Sequence, residues 1–210
     1  MSSRLIRGLA VCGLVLLSLV AARTASAGLF PLLWNQLDIG TAQSLPWGGE
    51  PRQERRGYDT SALVADTEAL LAADVPVIVR METLRRAAFY AMRDQGLART
   101  LLTRLVDRAV ASKRADQPDA MALFDAGYAA ALFTEVDRMT DSRIVSKVDS
   151  YALILASIDL RPDDAALHFA AARVRYSQGQ RGGETAVHEA AVHGAAPREP
   201  LLARNLRLID

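Results

Sequence analysis

Cysteine is nearly absent from this chain, and histidine is scarce. The one cysteine, Cys12, lies near the N-terminus, and there are three histidines in 210 residues. Beyond Cys12, neither a disulfide nor a thiolate metal site can form within the chain. We therefore expect stability to come from one sizeable apolar core, which a chain of this length can bury without cross-links.

Metal-ligand spacing is also missing, although one stretch superficially looks like a zinc-protease helix. His188 and His193 lie five residues apart in HEAAVH. Two ligands on one helix face need a spacing of four. At roughly 100° per residue, a spacing of five turns them about 140° apart. We expect no metal site, and we interpret both histidines as partly exposed helix residues.

Motifs of nucleophilic and phosphate chemistry are absent as well. There is no G-x-S-x-G elbow, and Gly48-Gly49 and Gly182-Gly183 are isolated turn pairs rather than a phosphate loop. The sequence therefore predicts no catalytic residue and no cofactor. An enzyme stays open as an alternative, since glycoside cleavage needs only two carboxylates that meet in space.

The first 27 residues have the layout of a secretory signal peptide. Arg4 and Arg7 are followed by an apolar run over 9–20, which is short for a membrane span, and by small residues at 25–27. We expect cleavage, a soluble mature chain from about Gly28, and a periplasmic or secreted location outside a bacterial cell. A retained membrane anchor is the alternative.

The charge balance disfavours some partners. The whole chain carries a formal charge of +1, and the loss of Arg4, Arg7 and Arg23 with the signal segment leaves −2. Such a balance argues against nucleic acid or an anionic membrane as partner. Arginine far outnumbers lysine and alanine is abundant, a composition typical of a GC-rich bacterial genome.

From Asp59 onward, apolar residues recur at helical spacing. One stripe advances by four and three alternately: Ile144, Val148, Tyr151, Leu155, Ile158. No stretch alternates for long enough to indicate a sheet. We predict that Asp141 or Ser142 caps one helix and that Asp163 begins another. About eight helices are predicted: 60–73, 77–94, 97–114, 119–138, 142–160, 163–178, 184–194 and 200–209.

Prolines mark a repeat among these helices. Pro76, Pro118, Pro162 and Pro200 stand at predicted helix starts, where the missing N–H costs nothing, at spacings of 42, 44 and 38 residues. Sliding the chain by 44 residues also aligns short alanine-rich matches. Periods of this size indicate arrays of helix pairs.

Residues 156–180, ASIDLRPDDAALHFAAARVRYSQGQ, resemble the join between two tetratricopeptide repeats. Eight positions carry the resemblance: Ile158, Leu160, Pro162, Leu167, Ala171, Ala172, Tyr176 and Gly179. It implies an all-α fold over residues 59–210, with antiparallel helix pairs stacked as a short, tetratricopeptide-like α-solenoid. It also implies a concave binding face, but no particular ligand.

Residues 28–58 hold both tryptophans and are predicted to form an irregular N-terminal arm. Trp34, Trp47 and Tyr58 are its candidate anchors. Either they pack the arm onto the first helices, or the arm crosses the concave face and lines a pocket there. Aromatic residues at such an interface would suit partner binding.

Charged residues stand close to the predicted core in two places. Arg80 borders the apolar stripe of helix 77–94, with Glu82 and Arg85 around it, and Asp125 lies among apolar residues. Arg80 either clamps an anionic ligand or forms an internal ion pair, with Glu82, Asp59 or Asp125 as partner. Asp125 is either such a partner or a catalytic acid. The predicted stripe of this helix is Val77, Met81, Leu84, Ala88 and Ala91.

The sequence therefore predicts an exported, non-enzymatic helical-repeat module that binds a protein, a peptide or an envelope component. One alternative is an envelope enzyme acting on a glycan or a small anion, and another is a self-associating structural protein of the envelope. The candidate binding residues are Trp34, Trp47, Tyr58, Arg80, Glu82, Arg85 and Asp125.

Overall fold

The computed structural model describes residues 32–48, 57–145, 147–178, 201 and 205. All of them belong to one compact unit, Pro31–Asp210. Within these residues the chain forms α-helices and short 3₁₀ turns and no β-strand, so the all-α prediction is confirmed. The predicted signal segment, the predicted helix 184–194 and nearly all of 200–209 lie outside the described residues.

In the continuously described stretches from 32 to 178, two 3₁₀ turns precede six α-helices. The turns are Leu32–Trp34 and Thr60–Ala62. The helices are α1 (Leu63–Ala72), α2 (Val77–Ala91), α3 (Gln95–Lys113), α4 (Ala120–Thr140), α5 (Ser150–Leu160) and α6 (Ala165–Ser177). Five agree closely with predicted helices, and α5 is the exception. No helix in the described part of the chain is both long and apolar enough to cross a membrane.

Aspartates begin four of the helices. Asp94, Asp119, Asp149 and Asp164 each accept a hydrogen bond from a main-chain N–H two or three residues further on. Such a cap satisfies a donor that the first helical turn leaves unpaired. The start predicted at Asp163 is therefore one residue early, because Asp164 is the capping residue.

The helix predicted over 142–160 is wrong in its first eight residues. Helix α4 ends at Thr140 and is followed by Asp141, whose φ of 52° is left-handed, and α5 begins only after Asp149. Neither Asp141 nor Ser142 caps the start of a helix, because Asp141 is the C-cap of α4 and Asp149 is the N-cap of α5. The reason for the late start of α5 is Asp137, near the end of α4. Its carboxylate accepts hydrogen bonds from Ser142 Oγ and from the main-chain N–H groups of Ile144 and Val145, and these bonds hold the segment after α4 as a loop.

The packing of α5 also departs from the predicted stripe. Ile154 is fully buried, whereas Leu155 is 41 % exposed. Gly127 on α4 sets this orientation, because α5 approaches so closely that an added Cβ would lie 2.7 Å from the Ser150 carbonyl oxygen. The face of α5 that meets Gly127 is thus the Ile154 face.

Helices α2 and α4 form the centre of the unit. All but one of the fifteen residues of α2 are buried. The helix is therefore buried on all sides, and not only along the apolar stripe of five residues that the sequence predicts. Helix α4 packs against α2, α3, α5 and α6. The turn Leu32–Trp34 contacts α2, α4 and α6, the three helices that follow Pro76, Pro118 and Pro162.

Candidate functional site

Of the predicted arm, residues 28–58, the structure describes 32–48 and 57–58. Residues 32–48, to which the name arm is restricted from here on, lie against a surface built by α2, α4 and α6, called the receiving face. Five apolar side chains of the arm are buried: Leu32, Leu33, Leu37, Ile39 and Leu45. Burying one leucine or isoleucine contributes roughly 1.5–3 kcal/mol. Together they place the arm within the folded unit rather than on its surface.

Glu135 of α4 holds the first turn of the arm by its main chain. Its two carboxylate oxygens accept the N–H groups of Leu32 and Leu33, at 2.7 and 3.0 Å. Burial raises the pKa of Glu135, and the two N–H bonds oppose that rise. A carboxylate at the start of a helical turn satisfies donors that the turn itself leaves open.

Glu82 of α2 is a second buried carboxylate that contacts the arm. It accepts the Leu37 N–H at 3.0 Å, two bonds from Arg85 at 2.7 Å each, and the Arg86 Nε at 2.7 Å. The Arg85 pair is bidentate, which is the geometry that best offsets the desolvation of a buried ion pair. Glu82 therefore fixes the positions of two guanidinium groups and one amide of the arm.

Both guanidinium groups in turn donate to carbonyl groups of the arm. Arg85 Nη1 lies 3.1 Å from the Leu33 oxygen, and Arg86 Nη1 lies 2.7 Å from the Leu45 oxygen. Tyr90 Oη donates to the carbonyl oxygen of Pro46, at 2.6 Å. Glu82 and its two arginines thus bind the arm at its beginning, middle and end.

Asn205 pairs with one residue of the arm on both sides of its main chain. Its side-chain oxygen accepts the Asp38 N–H and its nitrogen donates to the Asp38 oxygen, both at 2.8 Å. Arg173 of α6 adds a weaker bond to the Asn35 oxygen, at 3.4 Å. Most of the polar contacts between the arm and the rest of the unit are thus made to the arm's main chain, while its apolar side chains are buried.

Aromatic side chains close over the C-terminal half of α2. Phe89 packs against Trp34 and Trp47, with ring centroids 5.1 and 5.4 Å apart. Tyr90 packs against Trp47 and, at 4.6 Å, against Tyr58. The three predicted anchors therefore pack against two neighbouring residues of α2, which agrees with packing of the arm onto the first helices.

Two of these aromatic residues also meet charged groups. The Arg85 guanidinium lies 4.7 Å from the centroid of the Trp47 ring, within cation–π range. Tyr58 Oη donates to Asp66 Oδ2 at 2.7 Å, and burial together with this bond raises the pKa of Tyr58.

Arg80 and Asp125 form a separate ionic cluster with Arg108. Arg80 and Glu82 are two residues apart on α2, so they point in nearly opposite directions, about 200° apart. Arg80 Nη1 lies 2.9 Å from Asp125 Oδ2, and Arg108 donates to the same oxygen. Of the three partners considered for Arg80, the structure thus selects Asp125. Asp59 instead caps the turn Thr60–Ala62.

This second cluster joins four helices. Arg80 also donates to the carbonyl oxygens of Leu71 and Ala73, which close the C-terminal end of α1. Arg108 reaches Asp125 from α3. Burial raises the pKa of Asp125 to about 6, although both arginines lower it. Within the part of the chain that the structure describes, Asp125 Oδ1 has no hydrogen-bond partner.

The seven predicted site residues therefore fall into two groups. Trp34, Trp47, Tyr58, Glu82 and Arg85 meet around the arm, whereas Arg80 and Asp125 lie on the other side of α2. A binding role for either group stays a prediction.

The sequence reading missed Glu135, although a signal for it was present. Glu135 follows Tyr128 and Leu132 at spacings of four and three, so it stands in a core stripe, where an ionised side chain needs partners. Asn205 carried no comparable signal. Among the described residues, no group of three or more His, Cys, Asp or Glu side chains is placed to hold a metal ion. His188 and His193 lie outside those residues.

Comparison with protein-family models, with curated proteins and with solved structures finds no match. The resemblance of residues 156–180 to a tetratricopeptide join stays a prediction from the sequence.

Proposed function

We propose that this chain is an exported helical-repeat module without catalytic activity, which binds a segment of a protein or peptide. One observation carries the proposal. The receiving face holds residues 32–48 by their main chain, through the buried side chains of Glu82, Arg85 and Glu135 and the partly buried side chain of Arg86. A surface that binds main-chain groups and buries leucine side chains has the chemistry of peptide recognition.

The arrangement of the helices supports a repeated architecture. The arm's first turn touches α2, α4 and α6, and each of these helices follows one of the regularly spaced prolines. In an array of helix pairs, equivalent helices line one face. We propose that α2, α4 and α6 are those equivalent helices in a short, curved solenoid. Export is proposed from the pattern of the first 27 residues.

A second candidate function is an envelope enzyme that uses Asp125. The pKa of about 6 suits a general acid near neutral pH. Against it, the side chain of Asp125 is fully buried and bonded to two arginines. Under this alternative, Asp125→Asn abolishes turnover of an envelope glycan while the protein stays folded.

The binding proposal is tested by capture of a partner. The chain from Gly28 is immobilised and exposed to envelope extract of its own cells, and retained proteins are identified by mass spectrometry. One dominant protein retained by the native chain, and retained in larger amount by a folded Trp34→Ala, Trp47→Ala variant, supports the proposal, because these changes weaken the arm that covers the receiving face. The matched control is Leu155→Ala, Leu160→Ala, which removes two apolar side chains that are each more than 40 % exposed on α5.

Two results of this experiment would contradict the proposal. Retention of no specific protein by the folded native chain is one of them. The other is a partner that the α5 control loses and that the tryptophan variant retains in unchanged amount, since that partner would bind elsewhere.

A further inference from the structure

We infer that the receiving face is a peptide receptor whose resident ligand is the arm, and that a partner supplies a leucine-rich segment that adopts the arm's turns in place of residues 32–48. The inference rests on the proposed binding function and names the chemistry of the partner. It follows from which atoms of the arm the receiving face contacts.

The receiving face binds the arm mainly at groups that any peptide shares. Glu135 and Glu82 of the receiving face accept the N–H groups of Leu32, Leu33 and Leu37, and Asn205, which lies outside that face, accepts the N–H group of Asp38. Arg85, Arg86 and Tyr90 donate to carbonyl oxygens. A different peptide can make the same bonds, provided that no proline stands where an N–H is required.

The buried side chains set the sequence that fits. Leu32 and Leu33 are adjacent, Leu37 follows four residues later, and Leu45 lies further on, all nearly inaccessible to solvent. The partner segment therefore carries two neighbouring large aliphatic residues and a third four positions on. An aromatic residue at the position of Trp34 would contact Phe89, as the arm does.

Exchange conserves most of the binding energy, because a partner segment remakes the bonds that the arm gives up. The partner segment must, however, compete with a ligand that belongs to the same chain as the receiving face. Eight residues, 49–56, lie between the arm and the next described residue in the sequence, and an intramolecular ligand joined so closely corresponds to an effective concentration on the order of millimolar. A free peptide of the arm's own sequence should therefore compete only near that concentration, and more readily when the arm is weakened.

The test measures binding of a fluorescent synthetic peptide of residues 32–48 to the chain from Gly28. Trp47→Ala weakens the arm through its contacts with Phe89 and Tyr90, and Leu37→Ala weakens it at a second point. We expect each folded variant to bind the peptide at least about tenfold more tightly than the native chain does. The second variant keeps the test valid if the first does not fold.

The control peptide has the same side chains but is N-methylated at Leu33 and Leu37. It cannot donate to Glu135 and Glu82 at these positions, and hydrogen bonds to charged groups are strong enough that we expect about a tenfold loss of affinity or more. Equal affinity for the two peptides would overturn the inference. So would the absence of binding to both folded variants at millimolar peptide.

Two further outcomes separate this inference from the proposed function. A partner captured from envelope extract whose binding is unaffected by excess peptide would leave the binding function in place and overturn the receptor inference. A mass that doubles with concentration in Trp47→Ala without peptide would show that a second copy supplies the segment, which overturns the assignment to a different partner.

Discussion

Two fully buried carboxylates, Glu82 and Asp125, are arranged in opposite ways. Glu82 accepts four hydrogen bonds over its two oxygens, from two arginines and the Leu37 amide. Asp125 accepts both of its arginines on Oδ2, and Oδ1 has no partner among the described residues. Two equally buried carboxylates therefore differ in how many hydrogen bonds they accept. Glu82 has partners for both oxygens and positions the groups around it, whereas the buried Oδ1 of Asp125 lost its hydration without gaining a hydrogen bond among the described residues.

The largest expected effect is the loss of the Glu82 charge. Glu82→Gln keeps the shape of the side chain but removes the negative charge between Arg85 and Arg86. Breaking a buried pair on one side costs about 3–5 kcal/mol. We expect a loss of this size in denaturant unfolding, and little change for Asp159→Asn, which alters an exposed acid of α5. A loss below about 1 kcal/mol would show that the two clusters do not differ as described.

The next effect is a pH dependence that Asp125 alone contributes. Its pKa is raised from 3.8 to about 6 in the folded protein, so the folded state binds the proton more tightly than the unfolded chain. The stability contributed by this group is present below pH 4 and is lost as the pH rises to about 6. The expected loss is on the order of 3 kcal/mol.

Comparison of the native chain with Asp125→Asn isolates this contribution. Unfolding free energies are measured between pH 4 and 7 in both proteins. As the pH rises, the unfolding free energy of the variant should not show the decrease that the titration of Asp125 causes in the native chain. Equal slopes in the two proteins would contradict the raised pKa.

A smaller effect is expected from Glu135→Gln, which tests whether an arm carboxylate acts through main-chain bonds. The glutamine oxygen can accept one of the two N–H groups, but its NH₂ group opposes the other. Losing a hydrogen bond to a charged group costs about 1.5–3 kcal/mol. Thermal or denaturant unfolding measures the loss, with Asp107→Asn on the exposed side of α3 as control. A loss equal to that of the control would argue that Glu135 does not hold the arm.

The smallest effect is expected at the rim of the Asp125 cluster. The Arg108 side chain is 34 % exposed, and solvent screens a pair at such a position. Arg108→Met should therefore cost less than about 1 kcal/mol. Arg104→Met, at an exposed position of the same helix, is the matched control. A loss as large as that of Glu82→Gln would place Arg108 among the essential partners of Asp125.

The bounds of most helices could be predicted because their determinants are local. Apolar spacing, the prolines and the aspartate caps lie within a few residues of each helix start. The start of α5 could not be predicted in this way. Asp137, on the preceding helix, accepts hydrogen bonds from within residues 142–145 and holds them as a loop. The apolar spacing from Ile144 to Ile158 nevertheless has a helical period through that loop, so the sequence pattern alone predicts a helix there.

The candidate site was less accessible to sequence reasoning because its contacts are long-range. Glu135 lies about a hundred positions from Leu32 and Leu33, and Asn205 is further still from Asp38. Asp125 could be named as one of three partners of Arg80, but the choice among them depends on how α2 and α4 pack. That Arg80 and Glu82 belong to different clusters follows from their separation on α2, a signal already present in the sequence.

Amide hydrogen exchange by NMR tests the central claim most directly, namely that buried carboxylates hold the arm by its main chain. In the chain from Gly28, we expect slow exchange at Leu32, Leu33 and Leu37. In Glu135→Gln we expect that the first two exchange faster while Leu37, bonded to Glu82, stays protected. Rapid exchange of all three amides in the native chain would contradict the account.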